Sequence, residues 1–376
     1  MGIMSKVIIS IDICSLILKM ICMKYLVVII FLFFISCQSE KNIEIRDVSD
    51  VLVSDSLSTV KMEGEKLDLD LLCPLSILCV DTILLVYQDF EEKMIKAYGM
   101  QGGQLLGQFL RKGGGPDEVY MFSGFVQSLT QGNTSAVVIQ SYPQYLALLD
   151  LNETLEENKT MYKKKYSFVD SERNALFAAC NAVFYLKDNI LLLTKAPERS
   201  GKMDDGNTYF ELYDYDKNSI LKCFYATDLP FIPQAFELYK GSLALKKDHT
   251  KIVSFMHFMP MFAITDIETG SSKQYFPFGK SNDLKEYIKV PGHYYWGACA
   301  TDNHIIALYK GGIDPMKLES DTLTSFLHIF DWEGRLLHKI EIEDNIKCIS
   351  FEEKTGVVYA VIMNDEIKKY NIRQYL

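Results

Sequence analysis

Short apolar runs recur along the chain in pairs, each pair divided by a polar turn. The first members are Ile83–Tyr87, Ala136–Ile139, Ile190–Leu193, Ile252–Phe255, Ile305–Tyr309 and Val357–Val361. Their partners are Ile95–Tyr98, Tyr145–Leu149, Tyr209–Tyr213, Met261–Ile264, Phe326–Phe330 and Ile367–Tyr370. Runs this short, rich in β-branched and aromatic residues and bounded by turn formers, predict strands rather than helices. A further strand is predicted after most pairs (Gln104–Phe109, Ile220–Tyr225, Arg335–Ile340). Another is predicted before them (Pro74–Val80, Phe236–Tyr239, Ile346–Phe351).

Each partner run ends in a turn residue: Gly99, Asp150, Asp214, Asp266, Asp331 and Asn371. Gly and Asn tolerate positive φ, and Asp caps a reversal with its own side chain. The turns are 51, 64, 52, 65 and 40 residues apart. Self-similarity at this period, with four short strands per unit and almost no helical pattern, predicts an all-β fold, a six-bladed β-propeller with four-stranded blades. A small sheet cannot bury both its faces alone, but six packed around an axis can. A two-sheet sandwich would explain the short strands and not the six-fold recurrence. The last unit reaches Leu376 without a fourth strand, so an N-terminal segment is expected to complete it: Ile43–Arg46, Val60–Met62 or Leu67–Leu69. Closure of that kind removes an exposed sheet edge.

The 376 residues are 48% hydrophobic and 23% charged, too apolar for a disordered chain. The formal charge is −10. Such a surface repels phosphate backbones, and no nucleic-acid partner is expected.

Residues 1–36 read as a leader. Lys24 precedes the apolar run Tyr25–Ile35, which leads into Ser36-Cys37. A positive start, a dozen apolar residues and a small residue make a secretory signal. Ser36-Cys37 is similar to the end of a bacterial lipobox, which implies lipidation of Cys37. Met23 alone would give an ordinary signal length. Residues 37–42 then form a lipidated tether and 43–376 the propeller, a monomer held at the cell envelope, on whichever membrane face.

Six further cysteines (Cys73, Cys79, Cys180, Cys223, Cys299, Cys348) would be even in number for disulfides in an exported chain. Most sit inside apolar runs, without CxxC or zinc spacing, and read as buried thiols. The six histidines lie at 249, 257, 293, 304, 328 and 338, without HExxH or HxH. Lys112-Gly-Gly-Gly-Pro116 lacks the Gly-Lys-Ser/Thr of a P-loop and reads as a tight connection between blades. Asp214-Tyr-Asp216-Lys-Asn218 opens like a calcium loop, yet Ser219 and Tyr225 replace its sixth-position Gly and twelfth-position Glu, so a hairpin is expected. Asp204-Asp205-Gly206 reads as a loop tip. No GxSxG is present.

The run Leu105-Leu-Gly-Gln-Phe-Leu110-Arg111-Lys112-Gly113-Gly-Gly115-Pro-Asp-Glu118 resembles a motif of the TolB-like six-bladed propeller lipoproteins, in which a strand ends Gly-Arg-Lys-Gly-x-Gly-Pro-x-Glu. Ile305–Gly311, His328–Gly334 and Tyr359–Val361 resemble that family's last two blades. Leu110 stands where the family has its first Gly. The resemblance spans roughly residues 70–376 together with the lipobox. It implies the propeller fold and little chemistry, because the family is mostly uncharacterised.

Two turn intervals exceed the other full ones by about 13 residues, and the excess lies at 195–208 and 310–323, between second and third strands. Long loops on a rigid scaffold are where binding concentrates. The expected binding residues are therefore Arg199, Lys202, Lys310 and Lys317, with Arg111 and Lys112 on the same face. His293-Tyr294-Tyr295-Trp296 is the densest aromatic cluster; its rings either fill the wedge of the fifth blade or stack on a glycan. The expected function is a non-catalytic binding or scaffold module for a protein, peptide or glycan, with no cofactor. A propeller hydrolase with a metal in the central channel is the alternative.

Overall fold

The computed structural model describes residues 43–52, 57–115, 118–131, 134–141, 145–168, 177, 180–195, 209–229, 240–277, 287, 292–317 and 323–376. Glu44–Leu376 form one compact unit. The chain first lays down four short strands: β1 (Ile43–Ile45), β2 (Asp47–Leu52), β3 (Thr59–Met62) and β4 (Glu65–Leu67). Six sheets follow. Blade 1 is β5 (Ser76–Val80), β6 (Ile83–Tyr87), β7 (Lys93–Gly99) and β8 (Leu105–Lys112), edged by β9 (Glu118–Val119). Blade 2 is β10 (Phe122–Gln131), β11 (Thr134–Ser141), β12 (Tyr145–Asp150) and β13 (Tyr162–Ser167). Blade 3 is β14 (Cys180–Lys187), β15 (Ile190–Lys195), β16 (Tyr209–Asp214) and β17 (Ser219–Tyr225). Blade 4 is β18 (Gly241–Leu245), β19 (Lys251–Met256), β20 (Phe262–Asp266) and β21 (Ser271–Phe276). Blade 5 is β22 (His293–Ala300), β23 (His304–Ile313), β24 (Ser325–Asp331) and β25 (Leu336–Ile342). Blade 6 is β26 (Ile346–Glu352), β27 (Val357–Ile362) and β28 (Ile367–Asn371). This is the six-bladed propeller that the repeat predicts.

The first strand of blade 4 is Gly241–Leu245, whereas the sequence pointed to Phe236–Tyr239, which lies outside the described residues. A helix, α1 (Leu151–Glu156), also interrupts the third and fourth strands of blade 2. Asp150 is its N-cap, accepting from Glu153 N, so that Asp starts a helix rather than a hairpin.

The central strands read as unbroken apolar runs because both faces are covered. Along β23, Ile306 and Leu308 pack toward blade 6 with Val358 and Ala360. Ile305 and Ala307 pack toward blade 4 with Phe255 and Phe262. Burying each large side chain of this kind contributes roughly 1.5–3 kcal/mol, and the interblade seams therefore carry the fold.

The closing strand is β4, antiparallel to β28 with Leu67 opposite Ile367. Closure uses the third of the expected segments, and the other two do something the repeat does not reveal. β1 edges blade 3, β2 runs parallel to β21 of blade 4, and β3 runs parallel to β25 of blade 5. The N-terminal chain is thus a belt across four successive blades, giving blades 3, 4 and 5 a fifth strand. Polar side chains fasten it: Tyr225 donates to Glu44 (2.8 Å), Arg46 pairs with Asp228 (2.8 Å), Gln274 donates to Asp50 (2.9 Å) and Lys61 pairs with Glu341 (3.1 Å).

The predicted Asp turns hold in blades 3, 4 and 5. Asp214 accepts from Lys217 N, Asp266 from Thr269 N, and Asp331 from Glu333 N and Arg335 N. Gly334 follows at φ +78, where a side chain would strike the Tyr275 ring.

Candidate binding site at the fifth blade

Strands alternate in direction within each blade. The starts of first and third strands and the ends of second and fourth strands therefore meet on one face. Polar side chains are buried there on several blades: Gln88 after β6, Ser141 ending β11, Lys195 ending β15 and Lys310 late in β23. Two of these are lysines, and a third buried lysine, Lys96, lies on β7.

Lys195 Nζ sits 2.9 Å from Glu211 Oε2 on the neighbouring β16. Lys96 Nζ sits 2.7 Å from Glu91 Oε1 and donates to the Asp70 carbonyl. Lys310 differs. Its ammonium is 2% exposed and donates to Ser325 Oγ (3.0 Å) and Asn345 Oδ1 (2.7 Å), both neutral. No carboxylate among the described residues faces it, and burial drives its pKa down to about 7.

Beside it, β22 and β23 pair with Tyr295 opposite Tyr309 and His293 opposite Ile313, and bulges interrupt the register between. Bulges re-aim side chains. His293 is 5% exposed and its Nδ1 has no hydrogen-bond partner among the described residues. Its ring packs on Phe258 (4.7 Å) and edge-on to Trp296 (4.7 Å). Trp296 in turn stacks on His257 at 5.4 Å. Burial, and then the neighbouring Lys310 charge, hold the His293 pKa below its ordinary value. Burial takes His257 down to about 4, with His293 and Lys240 adding repulsion. Both imidazoles are neutral at pH 7.

His257 Nε2 lies 2.8 Å from Ser242 Oγ. A hydroxyl beside an imidazole is the beginning of a nucleophile, but a third group must orient the base. Among the described residues the charges acting on His257 come from Lys240 and another imidazole, and no carboxylate acts on it. The pair serves as a tie between the start of β18 and the end of β19. Among the described residues no three His, Cys, Asp or Glu side chains come together to hold a metal.

The expected site residues fall into four groups. Cys37, Arg199 and Lys202 lie outside the described residues, as does Asp204–Gly206. Arg111 and Lys112 are exposed at the end of β8, where Arg111 pairs with Glu92 (3.3 Å) and Lys112 with Asp89 (3.1 Å). Lys317 is exposed in a short 3-10 turn, Pro315–Lys317. Lys310, expected in a loop, is part of β23 and buried, because that strand runs on to Ile313. Tyr295 is fully buried with Phe255 and Phe330 and fills the wedge between blades 4 and 5. Trp296 is half-buried and its ring packs against His257 and His293. The structure thus places Trp296 in contact with His293, whose charged neighbour is Lys310, and leaves Arg111, Lys112 and Lys317 as surface charges. His257, Ser325 and Asn345 carried no spacing signal that could have found them; only the His-Tyr-Tyr-Trp run pointed to His293.

The Gly-rich motif is a turn. Glu118 folds back so that Gly115 N donates to its carboxylate (2.8 Å), and a Cβ on Gly113 or Gly115 would collide with that carboxylate. The loop's own amide already binds its own anion. Leu110 takes φ +65 and is fully buried. The left-handed backbone costs roughly 1–2 kcal/mol there, which burial of the leucine offsets.

Cys79, Cys299 and Cys348 lie on the first strands of blades 1, 5 and 6. Burial pushes the Cys79 thiol far above its ordinary value and those of Cys299 and Cys348 up to about 12 and about 11, and none forms a disulfide. Buried, protonated thiols of this kind are packing groups. Asp214–Asn218 is the hairpin between β16 and β17, with Asp216 accepting from Asn189 (2.6 Å).

No family model matches the chain, and no curated protein does. Among solved structures the chain is similar to a luciferin-regenerating enzyme, at 12% identity and TM-score 0.46, over 82% of this chain and 94% of that one. It is similar also to U3-55K, at 11% identity and TM-score 0.44, over 79% and 80%. The WD40 repeats of RRP9 match at 11% and 0.43, over 78% and 79%.

Proposed function

We propose that this chain is a lipid-anchored propeller of the TolB-like kind that acts at the cell envelope as a non-catalytic binding module for a protein, peptide or glycan. The observation that carries the reading is the combination at one face of a rigid interblade seam with buried donors, Lys310 and His293, that lack acidic partners among the described residues. Rigid scaffolds with a few convergent polar groups are how proteins hold ligands. Neither a nucleophile with an oriented base nor a grouped set of metal ligands occurs among the described residues. The leader and Ser36-Cys37 support the anchoring part of the reading.

Chemical crosslinking in intact cells, followed by capture of the full chain, tests it. A discrete envelope partner or glycan is expected, and its capture should survive chelation of divalent ions. A stoichiometric divalent ion in the purified protein, with hydrolysis that depends on it, would overturn the reading in favour of a channel hydrolase. Labelling with a fatty-acid analogue tests the anchor: Cys37→Ser should abolish incorporation.

A further inference from the structure

We propose that blade 5 carries a binding site for an organic carboxylate, held by Lys310 and His293 and walled by Trp296 and Phe258. This rests on the binding-module reading and deepens it by naming the ligand class.

Three lysines are buried in the described residues with known neighbours, and two have a carboxylate in contact. Among the described residues Lys310 has a serine hydroxyl and an amide oxygen as its acceptors. An ammonium offers three N–H groups, so one remains after those two bonds. Ser325 Oγ accepts from both Lys310 Nζ and Ile346 N, which leaves its own O–H to donate. His293 adds Nδ1, buried and without a partner, which donates in one of the two neutral tautomers. The groups left over in blade 5 can therefore all donate, and the group that satisfies them must accept.

Charge selects among acceptors. With His257 and His293 neutral, the cluster can balance one negative charge through Lys310. A carboxylate carries one; phosphate near pH 8 carries two and would bring an unbalanced charge among buried rings. The walls favour an organic body. Phe258, His257 and Trp296 are each half-buried, and they lie beside His293 while Lys310 is deeper. The carboxylate is thus held at the inner end with its carbon skeleton against the rings.

Binding should also move a proton. Lys310 is largely neutral above pH 7 when unliganded, and a carboxylate in contact restores its ammonium form. The test is titration calorimetry on the full folded domain at pH 8, in two buffers of different ionisation enthalpy. Four probes are used: D-glucuronate and N-acetylglycine, their uncharged amides, and inorganic phosphate as an anion control. Carboxylates should bind with uptake of up to one proton, and at least tenfold more tightly than the amides or phosphate. Stronger binding of glucuronate points to an acidic glycan as the source, and stronger binding of N-acetylglycine to a peptide terminus. Lys310→Met, of similar length and apolar, should retain or raise Tm while abolishing both binding and proton uptake. Should that variant fail to fold, His293→Asn serves, with at least a tenfold loss expected. Absence of binding by both carboxylates to the wild-type protein, or unchanged binding to Lys310→Met, would overturn the proposal. Capture of a cellular partner that Lys310→Met leaves unchanged would also sink it while leaving the binding-module reading intact.

Discussion

Blades 3 and 5 meet the same problem and resolve it differently. Each ends its second strand near a buried lysine on the same face of the ring. In blade 3 the third strand supplies Glu211, so Lys195 has a counter-charge 2.9 Å away. In blade 5 the third strand supplies Ser325 at its first position, and the residue before the next blade supplies Asn345, so among the described residues the charge of Lys310 is solvated by neutral oxygens. The first arrangement is closed and structural. The second holds a charge-sized deficit that a ligand can fill. Burial of a lysine is therefore no guide to its role; what faces it is.

The comparison can be broken most forcefully from the blade 3 side. Glu211→Gln leaves Lys195 buried without its anion and should cost about 3–5 kcal/mol, read as a lower urea midpoint at unchanged slope. A shift below about 1 kcal/mol would mean that Lys195 does not depend on its counter-charge, and the contrast between the blades would vanish.

Next in size is the pH dependence of blade 5. The folded pKa of Lys310, about 7, lies below its unfolded value. Between the two the unfolded chain binds the extra proton, so stability should rise with pH from about 7 to 10, by up to ~1.4 kcal/mol per unit. Lys310→Met should flatten that slope. Burial lowers His257 to about 4 and His328 to about 3, so both act in the opposite pH range. Stability should fall as pH drops from about 6.5 toward 4, and His328→Phe should lessen the fall. Thermal melts at fixed ionic strength resolve both arms.

The subtlest variant converts blade 5 into blade 3. Asn345→Asp places a carboxylate against Lys310, and by the near balance of desolvation and attraction should change stability at pH 7 by less than about 1 kcal/mol. It should nevertheless remove the alkaline slope and block carboxylate binding. Retention of both would show that the deficit at Lys310 is not what the ligand fills.

Much of the fold was legible because both faces of every central strand are covered. The runs Ile83–Tyr87 and Ile305–Tyr309 can then be purely apolar, and an Asp caps the reversal after the partner strand in blades 3, 4 and 5. The belt was only partly legible. β2 reads Asp-Val-Ser-Asp-Val-Leu and is fastened by backbone pairing and a hydrogen bond from Gln274 to Asp50, with little buried apolar surface to mark it as a strand. The choice of β4 over β1 or β3 as the closing strand depended on which segment reaches β28 after circling three blades.

For the site, residue type misled in one direction and helped in another. Lys310 followed by Gly311-Gly312 has the composition of a loop, and β23 continues through it because the strand still pairs with β22, where His293 stands opposite Ile313. Trp296 stood out as an aromatic, but the His257 ring it stacks on lies 39 residues away, and Phe258, against His293, lies 38 residues away.

The order of apolar and turn residues by itself determined that this protein is a ring of six sheets, since hydrophobic burial is read out locally along each strand. Which polar side chain meets which was decided only by the closed ring, where strands from blades 4, 5 and 6 converge and the partners of one lysine come from distant stretches of chain. Burial depends on the kind of residue, and charge balance depends on its neighbours. Neighbours exist only once the chain has folded.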